Sequence, residues 1–365
     1  MSPERRWHTG RMRVLVAMSG GVGSSVAAAL LVEQGHEVVG ATLKLWGGES
    51  DSGCCSVADV DDARRVAQQL GIDHHVFNLT EEFDRRVVTP YIEAHAQGRT
   101  PNPCIECNRS IKFDRLLERA DRLGFARLAT GHHARVTREA AAGLRLRLRR
   151  GADADKDQSY VLSMLGQAEL GRVTFPVGEM TKSAVRAHAV RLGLRTAGKP
   201  DSQDVCFIGS VEGRQGFLAD KLQFHPAEVT NGLGETVGSV DAVELVTVGQ
   251  RRGMGHGTDG ARRYVIAVDV TARRVTVGSA AEAMTASVTL SDASLTWVDR
   301  PLGHGDRAVA QVSAHGRPAP CAVARTDAGL VVQFDAPQRP VAPGQTIALY
   351  DVTDPDAVVG AGIAA

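Results

Sequence analysis

The residues with the most chemistry in this chain are its cysteines, at positions 54, 55, 104, 107, 206 and 321. Cys104 and Cys107 form a Cys-x-x-Cys within Thr100-Pro101-Asn102-Pro103-Cys104-Ile105-Glu106-Cys107-Asn108-Arg109. The two prolines hold an extended loop and the cysteine pair opens the helix that follows. A thiol at a helix start is drawn toward thiolate by the helix dipole. The same spacing is half of a structural zinc site, but no second Cys-x-x-Cys or His pair completes one. Cys206 closes Lys199-Pro200-Asp201-Ser202-Gln203-Asp204-Val205-Cys206-Phe207-Ile208. A lone cysteine before Phe-Ile is ordinarily a buried apolar residue. The polar run before it reads as a surface loop instead, where an exposed thiol reacts.

A second kind of chemistry sits in Ser19-Gly20-Gly21-Val22-Gly23-Ser24-Ser25. The apolar run Val14 to Met18 before it reads as a buried parallel strand, and Val26 to Leu31 after it as a helix ending near Gly35. Strand, glycine-serine turn and helix together bind phosphate: glycines admit the ligand to the backbone, and free N–H groups at the helix start face the anion. No Lys-Ser/Thr closes the stretch, so it is not a Walker A loop, and the third glycine of a dinucleotide fingerprint is missing.

Around these stretches the chain changes texture twice. From residue 12 to about 131, strands (38–43, 75–79, 126–130) alternate with helices (59–70, 82–95 with Pro90 as a kink, 111–123). That alternation predicts a doubly wound parallel sheet with helices on both faces and ligands at the carboxyl ends of the strands, where the first loop, Leu43 and Gly131 fall. The strictly alternating run Leu144 to Arg149 predicts a half-exposed strand whose arginines line a solvated face or an RNA face. Residues 182–192 predict a further helix, stopped by Gly193. After about residue 210, short Val- and Thr-rich strands with glycine turns predict a small β-rich module at 213–280, with strands at 236–248, 264–270 and 274–278. A β-barrel is predicted at 281–365, leaving a catalytic domain at 1–212.

Composition narrows the class. The 365 residues are 43% hydrophobic with zero formal net charge, ample for two or three cores and without a global nucleic-acid signature. The basic residues are 36 arginines against six lysines. Six cysteines are too few for a disulfide scaffold of this length, and no stretch reaches the ~18 apolar residues of a membrane span. A cytoplasmic protein with reduced thiols is expected, preceded by a loose leader at 1–11.

The glycine loop resembles the pyrophosphatase loop of the ATP-pyrophosphatase superfamily, usually Ser-Gly-Gly-x-Asp-Ser. Taken with the other stretches, the chain is similar to the tRNA-specific 2-thiouridylases over nearly its whole length. The matching motifs are the Ser-Gly-Gly loop, Thr100 to Cys104 with Cys107-Asn108, Ala129-Thr130-Gly131-His132 and Lys156-Asp157-Gln158-Ser159-Tyr160. They continue with Asp201 to Ile208, Val248-Gly249-Gln250-Arg251-Arg252-Gly253 and Pro343-Gly344-Gln345. The resemblance implies an adenine nucleotide alpha-hydrolase-like catalytic domain that adenylates the wobble uridine of tRNA and replaces its C2 oxygen by sulfur.

It also implies roles for particular residues. Ala17, Met18, Ser19, Gly20, Gly21, Val22, Gly23, Ser24, Leu43 and Gly131 would hold ATP, with Mg2+. Cys107 would be the nucleophile and Cys206 the persulfide carrier, with a disulfide between them during turnover. Asn102, Pro103 and Cys104 would line the target base, and His132, Lys156, Asp157, Gln158 and Gln345 would contact the anticodon region of tRNA. The partners implied are tRNA and a sulfur-relay protein or cysteine desulfurase. Two positions depart from the pattern. Gly23 stands where the loop usually carries Asp, and Ser313 stands where many relatives have the Arg of an Arg-Tyr tRNA contact. Cys104 occupies a place that is Asp in some relatives, so Cys104, Cys107 and Cys206 also form a candidate ligand set for a 4Fe-4S cluster, ranked below the persulfide scheme. The competing expectations are an amidotransferase-type adenylating ligase, which needs no paired cysteines, and a tRNA-binding homologue that Gly23 leaves with little turnover.

Overall fold

The computed structural model describes residues 10–46, 56–139, 145–201, 205–209, 213–257 and 260–365. Cys54, Cys55, Leu144, the run Ser202-Gln203-Asp204 and residues 1–9 of the leader lie outside the described residues. Four strands open the fold: β1 (Arg13–Ala17), β2 (Glu37–Lys44), β3 (Asp73–Asn78) and β4 (Arg127–Thr130). A hairpin of β5 (Ala134–Glu139) and β6 (Arg145–Arg150) follows, then the short β7 (Val173–Thr174). The parallel sheet has the order β3-β2-β1-β4-β7. Its strands alternate cleanly between two cores. Leu15, Val39, Ala41 and Leu43 enter one, while Val14, Val16 and Val38 enter the other. Both faces are therefore covered at β1 and β2, which is why those two strands are largely apolar, whereas the edge strand β3 is polar and mostly exposed.

The strand order reverses at β1, between β2 and β4, and that switch point is where an open α/β sheet leaves a crevice. Helix α1 (Val22–Glu33) leads away from it, buried along most of its length, as an all-round apolar helix must be. Helix α2 (Val57–Leu70) starts on a capping box: the Asp59 N–H donates to Ser56 Oγ at 3.1 Å, and the Asp59 carboxylate accepts from the Ser56 N–H at 3.3 Å. Gly71 ends it in the left-handed conformation.

Two of the expected helices take a different form. Residues 80–96 are α-helical except for Asp84–Val88, a π-helical segment directly before Pro90. Proline lacks an N–H and crowds the turn before it, and the turn widens rather than breaks. The helix expected at 111–123 starts at Pro103, where Asn102 Oδ1 accepts from the Cys104 and Ile105 N–H groups at 3.1 and 3.3 Å. It passes through a second π segment, Asn108–Arg115, before Leu116–Arg122. Cys104 thus occupies the first turn. Cys107 lies a turn further on and is buried, so the dipole argument made for the pair applies to Cys104.

The arginine strand is also corrected. Arg147 and Arg149 on β6 are withdrawn from solvent and taken up by carboxylates, while Arg145 at the strand's start stays half exposed, as expected of a solvated face. Arg147 meets Glu139 at 2.9 Å and Asp299 and Asp351 at 3.4 Å each. Arg145 meets Asp299 at 3.3 Å, and Arg149 meets Asp354. The β5–β6 hairpin docks on the C-terminal domain, and guanidinium groups desolvated there require carboxylates.

The second module pairs β8 (Ala227–Thr230), β9 (Thr236–Val240), β10 (Tyr264–Asp269) and β11 (Arg274–Gly278) in the order β10-β11-β8-β9. The strand expected to run to Val248 stops at Val240 and gives way to a short 3-10 turn, Val243–Leu245. That turn buries Glu244 to accept from His225 N and Nδ1 at 3.1 and 2.7 Å.

The C-terminal sheet contains β12 (Thr285–Leu290), β13 (Thr296–Trp297), β14 (Arg307–Gln311), β15 (Ala319–Thr326), β16 (Gly329–Gln338), β17 (Thr346–Tyr350) and β18 (Val358–Ile363). They run β12-β16-β15-β14-β17-β18-β13, and a bridge from Leu290 to Ala364 joins β12 to the end of β18, closing the barrel. No helix among the described residues is long and apolar enough to cross a membrane.

Candidate active site

The crevice at the switch point opens into a cavity of about 590 Å³, within the range of ligand sites. Its floor is the glycine loop. Ser24 Oγ accepts from the Ser19 N–H at 3.2 Å and donates to the Gly21 carbonyl at 3.2 Å, and Ser25 Oγ donates to the same carbonyl at 2.8 Å. These bonds fold the loop on itself and leave the first N–H groups of α1 without a side-chain cap, which suits an anion. The loop is walled in by backbone. Gly20 has φ +70°, and a Cβ there would collide with the backbone of Asp59. A Cβ on Gly131 would collide with the backbone of Gly23 and Ser24.

Of the residues expected to hold ATP, Ala17, Met18, Ser19, Gly21, Val22, Gly23, Ser24, Leu43 and Gly131 line the cavity. Gly20 lies behind it, as the hinge against α2. Met18 is fixed by its N–H on the Ala41 carbonyl at 2.8 Å and its carbonyl on Thr42 Oγ1 at 2.8 Å.

The thiols line the same cavity. Pro103, Cys104 and Cys107 line the cavity, as do Val205 and Cys206. The Val205 N–H approaches Cys104 Sγ at 3.4 Å, which joins the two cysteine loops. Val205 has φ +55°, an outlier for a β-branched residue, directly before Cys206. Cys104, Cys107, Cys206 and Cys321 are not joined in disulfides. Cys321 stands apart in the barrel core, its thiol pushed up to about 11 by burial, and is chemically inert there. Among the described residues no three His, Cys, Asp or Glu side chains group as a metal site, so Cys104, Cys107 and Cys206 as placed do not fit a cluster.

The residues expected to contact tRNA divide. His132, Lys156, Asp157 and Gln158 line the cavity. His132 Nδ1 is 2.7 Å from Thr130 Oγ1, and the ring packs against Phe113 and Phe175. Burial, then Lys112, holds it neutral. The Asp157 carboxylate is taken up internally by Arg150 at 2.7 Å, the Gly151 N–H at 3.0 Å and the Ser159 N–H and Oγ at 2.9 and 2.8 Å. Asn102 and Gln345 lie outside the lining. Asn102 caps the cysteine helix, and Gln345 donates to the Thr100 carbonyl at 3.1 Å.

Several lining residues had no signal in the sequence: His133, Lys182, Asp201 and, from the barrel, His315. Asp201 meets Lys156 at 2.8 Å, Arg186 at 2.9 Å and Lys182 at 3.0 Å. Burial works against its charge, and the bonds from Lys156 and Lys182 outweigh that, so its pKa lies well below the usual carboxylate range. Lys199 reaches Asp59 and Asp62, tying the Cys206 loop to α2 as well. Only tertiary structure makes these neighbours, and Asp201 alone lay inside a motif already noted.

Comparison with known proteins agrees with this layout. Residues 12–210 match the model of the tRNA methyl transferase HUP domain, residues 215–279 the tRNA methyl transferase PRC-barrel domain, and residues 287–364 the aminomethyltransferase beta-barrel domain. The tRNA-specific 2-thiouridylase of Roseiflexus sp. is 43% identical over 374 residues, covering 96% of this chain and 98% of the relative. That of Mycobacterium avium is 44% identical over 353 residues, covering 94% and 96%. Among solved structures, the U34-tRNA thiolase of Methanococcus maripaludis with its [4Fe-4S] cluster is 17% identical with a TM-score of 0.35, covering 54% of this chain and 62% of that one. A 4-thiouridine synthetase–RNA complex with bound ATP is 18% identical with a TM-score of 0.36, covering 53% and 44%.

Proposed function

This chain belongs to the family of the tRNA-specific 2-thiouridylases, and from that premise we propose that it is a tRNA-uridine 2-sulfurtransferase working in the cytoplasm. The observation that carries the reading is the convergence of the glycine loop and the thiols of Cys104, Cys107 and Cys206 on one cavity. A phosphate-binding loop alone suits any adenylating ligase, and the thiols in the same cavity suit sulfur transfer rather than amide formation or methylation.

The chemistry follows from the electrophile. The C2 carbonyl of uridine has no good leaving group. Its oxygen attacks the α-phosphorus of ATP, pyrophosphate departs, and the oxygen can then leave as part of AMP. A persulfide on Cys206 attacks C2 through its terminal sulfur and AMP is expelled. The Cys107 thiolate then attacks the Cys206 sulfur and frees 2-thiouridine, leaving a Cys107–Cys206 disulfide. The sulfane sulfur is reduced as the two thiols are oxidised, so a thiol reductant must reopen the disulfide before the next turnover, and a sulfur-relay protein or cysteine desulfurase must reload Cys206.

The target base must leave the anticodon stack to reach the cavity. His132, neutral and held by Thr130, offers it an apolar ring face with one fixed polar edge. Mg2+ would neutralise the phosphates. Asp155 would hold it, as the lining carboxylate without a side-chain partner among the described residues, whereas Asp157 and Asp201 are committed to arginine and lysine. No step is assigned to an iron–sulfur cluster, and the reading without turnover is not favoured.

Purified protein given ATP, Mg2+, a persulfide donor and unmodified tRNA should form 2-thiouridine, read by mass spectrometry of the digested tRNA, with one AMP per thiolated base. AMP formation without 2-thiouridine, or neither product, would contradict the reading.

A further inference from the structure

The Val248 to Gly253 motif is not used by the reaction above. Many arginines of the catalytic and barrel modules are paired with carboxylates, as on β6, whereas among the described residues the arginines at 251–274 of the central module have no carboxylate partner. Arg251 and Arg252 are exposed, and among the described residues neither has a carboxylate or side-chain hydrogen-bond partner. Residues 245–258 contain no acidic residue. Exposed Arg262 and His256 stand beside them, joined by a bridge between their backbones.

The loop is built, not loose. Gln250 spans it: Oε1 accepts from the Thr247 N–H at 3.2 Å, and Nε2 donates to the Arg252 carbonyl at 3.0 Å. Its backbone pairs with Val265 on both sides, and Met254 is buried as an anchor. Gly249 at φ +86° brings the chain against Pro340 of the barrel.

The loop is tied to the segment that leads into the cysteine helix. Thr247 Oγ1 lies 3.4 Å from Thr100 Oγ1, and Thr100 is two residues from the Asn102 cap of the cysteine helix. Thr100 is held from the barrel side by the Pro343 carbonyl at 2.7 Å and by Gln345. All three modules therefore meet at Thr100.

We propose that this loop is a phosphate clamp for the tRNA, with Arg251 and Arg252 gripping the backbone next to the nucleotide whose base enters the cavity. The inference rests on the function proposed above. A base flipped inward leaves its flanking phosphates at the rim, and two guanidinium groups with no carboxylate partner among the described residues, carried on a fixed backbone, are available to meet them. The contacts are to backbone, so they bind without reading sequence.

The test is tRNA binding by the full chain as a function of salt, for the wild type, Arg251→Ala/Arg252→Ala and Arg251→Lys/Arg252→Lys. ATP affinity and melting temperature serve as checks of folding. The alanine pair should weaken Kd roughly tenfold near physiological salt and lower the slope of log K against log salt by about 1.5 to 2, as expected for two lost phosphate contacts. The lysine pair should retain the slope, and 2-thiouridine formation at saturating tRNA should be unchanged. An unaltered Kd and slope in the alanine pair would overturn the clamp. Unaltered tRNA binding with slower transfer from a protein sulfur donor would also overturn it and assign the loop to that donor. Failure of the wild type to bind tRNA would strike the proposed function instead.

Discussion

The glycine loop and the Cys206 loop line one cavity and are held by opposite means. The glycine loop is fixed by contact: backbone packs on backbone at Gly20, Gly23 and Gly131, with no room for a side chain at two of the three. The Cys206 loop is fixed by charge, through Lys199 to Asp59 and Asp62 and through Asp201 to Lys156, Lys182 and Arg186. Steric fixation does not yield to conditions, whereas partly exposed ion pairs are weak and exchangeable. One wall of the site is therefore permanent, as nucleotide binding requires. The other can be released, which suits the sulfur carrier proposed for Cys206.

Three substitutions probe that contrast. The largest effect is expected at Gly23. A carboxylate there would lie beside the phosphates, and removing one contact of this kind typically costs on the order of 10²–10³ in rate. Gly23→Asp should raise tRNA-dependent pyrophosphate release by up to about 10²-fold, at the cost of moving the Gly131 carbonyl, 3.0 Å from the new Cβ, by a few tenths of an ångström. Equal rates in the two proteins would mean that Asp155 already supplies the charge.

Next is Gly131→Ala, which drives a methyl group into the backbone of Ser24. Overpacking costs about 1–3 kcal/mol, so ATP affinity measured by calorimetry should fall roughly ten- to a hundredfold while the thiols keep their reactivity. An unchanged affinity would show that the glycine wall is not rigid.

The smallest effect is expected for Asp201→Asn, which should speed amide exchange at residues 205–209 a few-fold without changing ATP affinity. The depressed pKa of Asp201 gives the sign of the pH dependence: its pairs persist above the ordinary carboxylate range and are lost only as pH falls through the depressed value. Exchange in the wild type should therefore be flat from neutral pH down to about 4 after correction for intrinsic rates. A rise well above that pH would mean that another group holds the loop.

What was legible in the sequence was local. The Val14 to Met18 run, the glycine turn and the Pro-Cys helix start each carry their signal within a few residues. The two cysteine loops were legible as polar, proline-marked stretches. What was not legible depends on partners far along the chain. Arg147 and Arg149 of β6 look solvated until Asp299, Asp351 and Asp354 arrive from the barrel. Asp157 looks like a surface contact until Arg150 and Ser159 close on it. His315 reaches the cavity from a different domain altogether. The π segment before Pro90 has its cause in the proline, whereas the one after Cys107 interrupts a run whose periodicity still reads as α.

The central claim is that Cys206 delivers sulfur and Cys107 resolves the product. The most direct measurement is a single-turnover reaction of persulfide-loaded Cys107→Ser with ATP and tRNA, resolved by denaturing electrophoresis and scored for AMP. The account predicts about one AMP per protein and a covalent protein–tRNA species that a thiol reductant cleaves to release 2-thiouridine. Repeated turnover by Cys107→Ser without any such species would contradict it.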